Sequence, residues 1–192
     1  MPLPRSIQEV ADTIVAFVAK PVGDGPYQLY QYLPRQEYRV RRDLADLRIW
    51  LEAKQINCVA ISLADLLWQA IEESGRFDAI VRAEKDDGPD ALPDVIEAIG
   101  NLLRRKPSLT DRIVNAVKDV SPSSAVFLYR AGALYPAIRT SGLLDELLGR
   151  VLLPVTLLYP GRLHGDFGLS FMDILPPHYG YRATIIPRGD DE

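Results

Sequence analysis

Hydrophobic residues along the chain follow two alternating patterns. Apolar side chains spaced three and four positions apart predict seven amphipathic helices, over residues of about 7–18, 40–54, 63–71, 77–84, 90–105, 108–120 and 141–151. Short apolar runs with aromatic or β-branched residues predict five strands, at residues 27–33, 56–61, 125–129, 154–159 and 182–186. Strands separated by helices are typical of an α/β fold. We therefore expect three layers, with a mostly parallel sheet of about five strands and helices on both faces.

Polar residues at the predicted helix ends support this assignment. Ser62 and Ser108 stand three positions before Asp65 and Asp111, the spacing of an N-terminal capping arrangement. Residues 85–90 are charged and contain a Gly-Pro pair, which predicts a surface loop. These signals locate the helix boundaries that hydrophobic spacing alone leaves open.

Length and composition indicate one ordinary domain. The 192 residues are 47% hydrophobic and 25% charged, which is enough to form a core without disulfides or metals. We expect a single domain over residues 1–187 and a disordered acidic tail over 188–192. The sequence has no apolar run of membrane-spanning length and no cleavable leader pattern, so we expect a cytoplasmic protein without membrane contact. The lone cysteine, Cys58, lies in an apolar strand and is expected to be a buried, inert thiol.

The common catalytic signatures are missing from the sequence. It contains neither Gly-rich phosphate motif of nucleotide-binding enzymes, and it lacks the HExxH and GxSxG patterns. The expected scaffold is therefore Rossmann-like or P-loop-NTPase-like without a phosphate-binding loop. Because the chain has only two histidines and one cysteine, we expect no metal, and we expect no cofactor. A net charge of -4 argues against a protein whose main task is to neutralise a nucleic-acid backbone.

The segment 159–168, which reads YPGRLHGDFG, follows the fourth predicted strand and is the most unusual in the chain. Its three glycines and Arg162 permit a degenerate phosphate-binding loop. A flexible turn with a surface-paired arginine is one alternative, and a loop that docks a partner is another. Ligands of open α/β sheets bind at the carboxyl ends of the strands, so each interpretation places this segment where a site is expected.

Arginines and tyrosines form two further clusters. The densest basic cluster, interleaved with tyrosines, is Arg35, Arg39, Arg41 and Arg42. It could grip a nucleic-acid backbone or dock a protein, but pairing with Asp43 and Asp46 on a solvated helix is the simpler interpretation. Tyrosines in the last third of the chain predict either half-buried positions at strand ends or an aromatic interaction surface: Tyr129, Tyr135, Tyr159, Tyr179 and Tyr181.

Four segments of the chain resemble a known family. They read YLP, VFLYRAGALYP, PVTLLYPG and YRA, at residues 32–34, 126–136, 154–161 and 181–183. Together they are similar to the BrxB family, whose members are small cytoplasmic components of bacteriophage exclusion (BREX) defence systems. The resemblance extends from about residue 28 to residue 187, and the Tyr-Pro-Gly at the end of the strand is its most specific part. The polar residues 164–166 depart from it, since a plainer loop is expected there.

The resemblance implies a function but no catalytic residues. The family acts with a site-specific DNA methyltransferase, a large ATPase and a phosphatase-like PglZ protein to distinguish self DNA from phage DNA. We therefore expect a non-catalytic adaptor that binds larger BREX proteins, a PglZ-like protein first, and associates with DNA only indirectly. The candidate partner-binding residues are Tyr159, Pro160, Gly161, Arg162, Tyr181 and Arg182. The alternatives are a nucleotide- or phosphate-binding enzyme or regulator that uses residues 161–168, and a DNA-binding accessory module.

Overall fold

The computed structural model describes residues 3–189, and it places helices around one sheet. The helices are α1 (Arg5–Ala19), α2 (Glu37–Glu52), α3 (Leu63–Ser74), α4 (Phe77–Asp87), α5 (Leu92–Arg104), α6 (Leu109–Val117) and α7 (Thr140–Leu147). The strands are β1 (Tyr27–Tyr32), β2 (Asn57–Ser62), β3 (Ser124–Tyr129), β4 (Val155–His164), β5 (Gly168–Phe171) and β6 (Thr184–Pro187). The predicted α/β class and mostly parallel sheet are confirmed.

The sheet is parallel in its main part and ends in an antiparallel hairpin. Its strand order is β2-β3-β4-β1-β6, and all neighbours along this path run parallel. In the register of β1 and β4, Tyr27 lies opposite Val155 and Tyr32 lies opposite Pro160. Strand β5 pairs antiparallel with the last residues of β4. The carboxyl ends of the parallel strands therefore share one edge, and the β4–β5 hairpin extends from it.

Two hydrophobic cores cover the two faces of the sheet. Successive residues of β3 alternate between them: Val126 and Leu128 belong to the core shared with α3, α5, α6 and α7. Ala125 and Phe127 belong to the core shared with α1 and α2. Side chains of a strand point to opposite faces in turn, and a parallel sheet needs cover on both, so the continuous apolar runs of the sequence produce the expected three layers.

The β4–β5 hairpin is the largest departure from the predicted elements. The sequence predicts that the fourth strand ends at residue 159, but β4 continues through Pro160 and Gly161 to His164. Gly161 pairs with Phe171 across the hairpin. A Cβ atom on Gly161 would lie 2.3 Å from the backbone oxygen of Ser170, so this glycine allows the close approach of β5. Of residues 159–168, only 165–167 form a turn, in which Gly165 has a φ of 59°. The flexible-turn interpretation is therefore wrong for residues 159–164, although Arg162 does form the expected surface pair, with Asp173.

The helix caps follow the sequence signals closely. The Ser62 hydroxyl accepts a hydrogen bond from the backbone N–H of Asp65 at 3.2 Å. At the start of α6, the Ser108 hydroxyl accepts from the Asp111 N–H, and the Asp111 carboxylate accepts from the Ser108 N–H. Residues 85–90 differ from the prediction, because α4 extends to Asp87 and a 3-10 turn follows directly.

Arg188 is held in the fold, although the sequence assigns it to a disordered tail. Its side chain is only 2% exposed and pairs with Asp43 of α2, with 2.9 Å between Nε and Oδ2. Its backbone N–H donates to the carbonyl of Gln31 in β1 at 2.8 Å. The acidic residues 190–192 lie outside the described residues.

Cys58 is buried in β2, and burial raises the pKa of its thiol to about 11.

Candidate functional site

A groove of about 350 Å³, which we call the edge groove, lies at the carboxyl edge of the sheet. It is lined by residues that follow β1 and β3, by one residue of β4 and by the residue after β5: Pro34, Glu37, Tyr38, Arg41, Arg130, Gly132, Ala133, Pro160 and Met172. The chain leaves β1 for α2 on one face of the sheet and leaves β3 for α7 on the other. Open α/β sheets bind their ligands in the crevice that such diverging connections create. The edge groove is therefore the site that the topology favours.

The start of α2 forms one wall of the edge groove. The Gln36 side chain accepts a hydrogen bond from the backbone N–H of Leu33 at 2.9 Å, which fixes the turn out of β1. The buried Tyr32 hydroxyl donates to the Glu37 carboxylate. Burial and this carboxylate raise the pKa of Tyr32, so the phenol stays protonated. The fixed turn presents Tyr38, whose side chain is 80% exposed, to solvent.

Arg130 forms a second wall at the end of β3. Its backbone adopts a left-handed conformation, with φ of 58°, where the chain turns sharply out of the strand. Its guanidinium donates to the Asp65 carboxylate at 2.7 Å and to the Ser62 hydroxyl at 3.3 Å. This ion pair ties the end of β3 to the start of α3, so Arg130 is a positioned cation and not a free one.

The β4–β5 hairpin and the chain after it form the third wall. Arg162 donates from Nε and Nη2 to the two carboxylate oxygens of Asp173, at 2.7 and 2.8 Å. These bonds lower the pKa of Asp173. Three apolar side chains on this part of the chain are more than 60% exposed, and we call them the hairpin surface: Phe167, Ile174 and Tyr179. The hairpin thus carries charges that are paired locally and apolar groups that are not covered.

The predicted partner-binding residues divide into an inner and an outer group. Those at the strand end are buried in β4: Tyr159, Pro160 and Gly161. The outer residues are the exposed Arg162 and Arg182 and the half-buried Tyr181. The Tyr159 and Tyr181 hydroxyls lie 3.2 Å apart, and the Tyr159 ring packs on Phe171 with centroids 5.4 Å apart. This tyrosine cluster supports the hairpin from inside, and direct docking by these six residues stays a prediction.

The glycines of residues 161–168 do not form the anion cradle that the sequence permits. The space beside Gly161 holds the Ser170 carbonyl and the Tyr159 ring. The space beside Gly168 holds the Tyr179 ring, 2.7 Å from where a Cβ atom would lie. Both positions are glycine because neighbouring groups approach closely. The structure therefore gives no support to a phosphate site at this segment.

The four clustered arginines are all exposed: Arg35, Arg39, Arg41 and Arg42. The last three lie on α2, opposite the buried Val40 and Leu44, and Arg41 lines the edge groove. The expected pairing with Asp43 is wrong, since Asp43 faces inward and pairs with Arg188. A nucleic-acid role for this patch stays a prediction.

Neither a cluster of metal ligands nor a membrane-spanning helix is found among the residues that the structure describes. Across residues 3–189, no group of three or more His, Cys, Asp or Glu side chains is arranged to hold a metal ion. Over the same part of the chain, none of the helices has the length and apolar character that crossing a bilayer requires.

Two of the three exposed groups of the hairpin surface, Phe167 and Ile174, are not singled out by the sequence, whereas Tyr179 belongs to its tyrosine cluster. Local hydrophobic spacing does not show which apolar residues the fold leaves uncovered. One signal was available for Phe167. It stands between Asp166 and Gly168, and an aromatic residue in a polar turn is typical of an exposed contact.

Comparison with known proteins decides the family. The sequence model of the family described as BREX protein BrxB matches residues 59–186, more than half of the chain. The chain belongs to the BrxB family. A curated BrxB relative, the BREX protein BrxB of Bacillus cereus (strain H3081.97), is 26% identical over 160 residues. That alignment covers 82% of this chain and 81% of the relative. No solved structure matches the chain.

BrxB membership confirms the resemblance and implies a role in BREX phage defence, in association with other BREX proteins. The Tyr-Pro-Gly segment that ends the predicted fourth strand lies inside the matched range, and residues 32–34 lie outside it. The Tyr-Pro-Gly segment, on which the resemblance depends most, is the buried base of the hairpin.

Proposed function

We propose that this BrxB protein is a non-catalytic adaptor that docks a PglZ-like BREX protein on the hairpin surface and the edge groove. A larger BREX ATPase or methyltransferase would join the assembly through that partner, and any association with DNA would be indirect. The observation that carries the proposal is the exposure of Phe167, Ile174 and Tyr179 together, at 70%, 65% and 62%.

The character of this surface favours a protein partner. Exposed apolar side chains clustered on one projection are typical of an interaction site, and aromatic residues are enriched in interface centres. Tyr38 and Arg41 in the adjoining groove would form an amphipathic rim, since tyrosine and arginine are common in binding hot spots. An apolar centre with a polar rim is the usual anatomy of a protein interface.

The charged groups around the groove support a positioning role over a catalytic one. Asp65 holds Arg130, Asp173 holds Arg162, and Glu37 accepts from Tyr32. A general acid or base needs a proton that it can exchange with a substrate, whereas each of these carboxylates is engaged in a structural contact. The contacts keep the three walls of the groove in place.

The test is co-purification of the tagged chain with its PglZ-like neighbour after co-expression. Wild-type protein should retain the partner, because the hairpin surface would supply the centre of the interface. The double variant Phe167→Asp with Ile174→Asp should reduce retention at least about tenfold, as expected when hot-spot residues become charged.

The matched control is Ile49→Asp on α2, which changes an equally exposed apolar residue away from the hairpin. Its retention of the partner should equal that of the wild-type protein. Loss of the partner in both variants to the same extent, or in neither, would contradict docking at the hairpin surface.

A further inference from the structure

A second cavity, of about 770 Å³, lies away from the edge groove, among α5, α6, α7 and the turn before α7. The adaptor proposal does not involve this cavity. Small-molecule sites in proteins have volumes of about 300–1,000 Å³, so this space has the size of a ligand-binding cavity.

Three cations line this cavity from two parts of the chain. Arg104 ends α5, Lys106 follows it, and Arg139 precedes α7. In the described part of the chain, no carboxylate lies within 4.0 Å of any of the three. The Arg104 guanidinium has one hydrogen bond, to the Asn101 amide oxygen at 3.2 Å. Like charges that line one space repel each other, and an anion between them would relieve the repulsion.

The fourth cation of the cavity, Arg150, differs from these three because it pairs with a carboxylate. Arg150 donates to Asp111 at 2.7 Å, and this bond lowers the pKa of Asp111 to about 2. Asp111 also caps α6, so Arg150 serves the helix end. The remaining three cations are thus left for an external partner with at least two negative charges, and arginine and lysine together suit a phosphate group.

The rest of the lining combines apolar side chains with polar groups, which are Ser108, Thr110, Asp111 and Glu146. Four side chains supply the apolar part: Leu103, Leu109, Ile138 and Leu143. Glu146 also lines the cavity and accepts a hydrogen bond from the Thr110 hydroxyl at 2.5 Å. Its carboxylate has capacity for a second donor, such as a sugar hydroxyl or a ring N–H. The cations suit the phosphate of a nucleotide, the apolar side chains suit its base, and the carboxylate suits a hydrogen-bond donor of the nucleoside.

We propose that this cavity binds a nucleoside phosphate. The phosphate contacts Arg104, Lys106 and Arg139, the base packs on the leucine-rich lining, and Glu146 accepts a hydrogen bond from the nucleoside. The site is separate from residues 161–168, where the sequence suggests a phosphate loop and the glycines instead allow close packing.

Calorimetric titration of the full-length chain with AMP, ATP, adenosine and inorganic phosphate tests the proposal. AMP and ATP should bind. Adenosine, which lacks the phosphate, and inorganic phosphate, which lacks the nucleoside, should each bind at least about tenfold more weakly than AMP. No binding of AMP or ATP at about 5 mM, or equal binding of adenosine, would overturn the proposal.

Charge variants identify the site. Lys106→Glu and Arg139→Glu should each weaken AMP binding at least about tenfold. The control is Arg105→Glu, since Arg105 stands beside Lys106 but lines a different pocket. AMP affinity unchanged in Lys106→Glu and Arg139→Glu, or equally weakened in Arg105→Glu, would overturn the assignment.

A steric variant keeps the test independent of charge. No atom lies within 4 Å of the position that a Cβ atom on Gly142 would take, and this exposed residue lines the cavity. Gly142→Leu should narrow the cavity and weaken AMP binding while the thermal midpoint of the free protein stays level or rises, because leucine favours a helix over glycine. Full AMP affinity in Gly142→Leu would overturn the location.

Discussion

Gly161→Ala is expected to destabilise the chain by about 3 kcal/mol or more. A Cβ atom at this position would lie 2.3 Å from the Ser170 oxygen and 2.6 Å from the Tyr159 ring. Backbone and a fully buried ring cannot move aside as the end of a flexible side chain can, so β5 would have to separate from β4. Urea unfolding followed by circular dichroism measures the change in the free energy of unfolding.

Gly142→Ala is the matched control for this substitution. Its Cβ atom would meet nothing within 4 Å and alanine favours a helix over glycine, so the free energy of unfolding should stay level or rise by up to about 1 kcal/mol. Equal stability of Gly161→Ala and wild type would show that the hairpin does not need this close approach. Gly161→Ala should also weaken capture of the PglZ-like partner, because Gly161 lies at the base of the hairpin surface.

Asp43→Asn is expected to cost about 3–5 kcal/mol, because it leaves the charge of Arg188 buried without its partner. The Arg188 side chain is 2% exposed and that of Asp43 is 13% exposed, so water cannot replace the lost carboxylate. The remaining side-chain contact of Arg188 is a 3.4 Å hydrogen bond to the Gly189 carbonyl. The measurement is again the free energy of unfolding in urea.

Two further variants separate pairing from simple loss of a charge. Glu52→Gln breaks the exposed pair with Arg48, where the atoms are 3.9 Å apart, and should change stability by less than about 0.5 kcal/mol. Asp43→Leu combined with Arg188→Met should recover much of the loss, because both buried charges are then removed. A loss in Asp43→Asn no larger than that in Glu52→Gln would contradict the buried pair.

The parallel core of the fold could be predicted because its signals are local. Strands β1 and β3 are buried on both faces and the edge strand β2 only in part, and the bounds of all three agree with the predictions to within about one residue. Ser62 and Ser108 cap their helices because each hydroxyl and the backbone N–H that donates to it stand only three residues apart. Short-range chemistry therefore fixes most element positions in this chain.

The hairpin could not be predicted because its cause is a contact between separate segments. Pro160 and Gly161 usually end a strand, and only the approach of Ser170 shows why glycine is required there. The position of Arg188 has the same kind of cause, since its partner Asp43 is 145 residues away in sequence. Neither contact leaves a periodic signal.

The place of the candidate site follows from the sequence more directly than its exposed residues do. The carboxyl edge of the sheet follows from the topology rule, and the Tyr-Pro-Gly segment does lie there. Tyr159 and Gly161 are nevertheless buried supports, and the exposed groups are Phe167, Ile174 and Tyr179. Exposure depends on how distant segments cover each other, so the spacing of hydrophobic residues could not reveal it.

Hydrogen exchange of the chain, free and bound to the PglZ-like protein, tests the central claim most directly. Exposed turns such as residues 165–167 and 172–181 exchange quickly unless a partner covers them. We predict slower exchange in those residues and at residues 34–41 of the edge groove on binding, with no change in α5. Protection that spares the hairpin and falls on another face would contradict docking at the carboxyl edge.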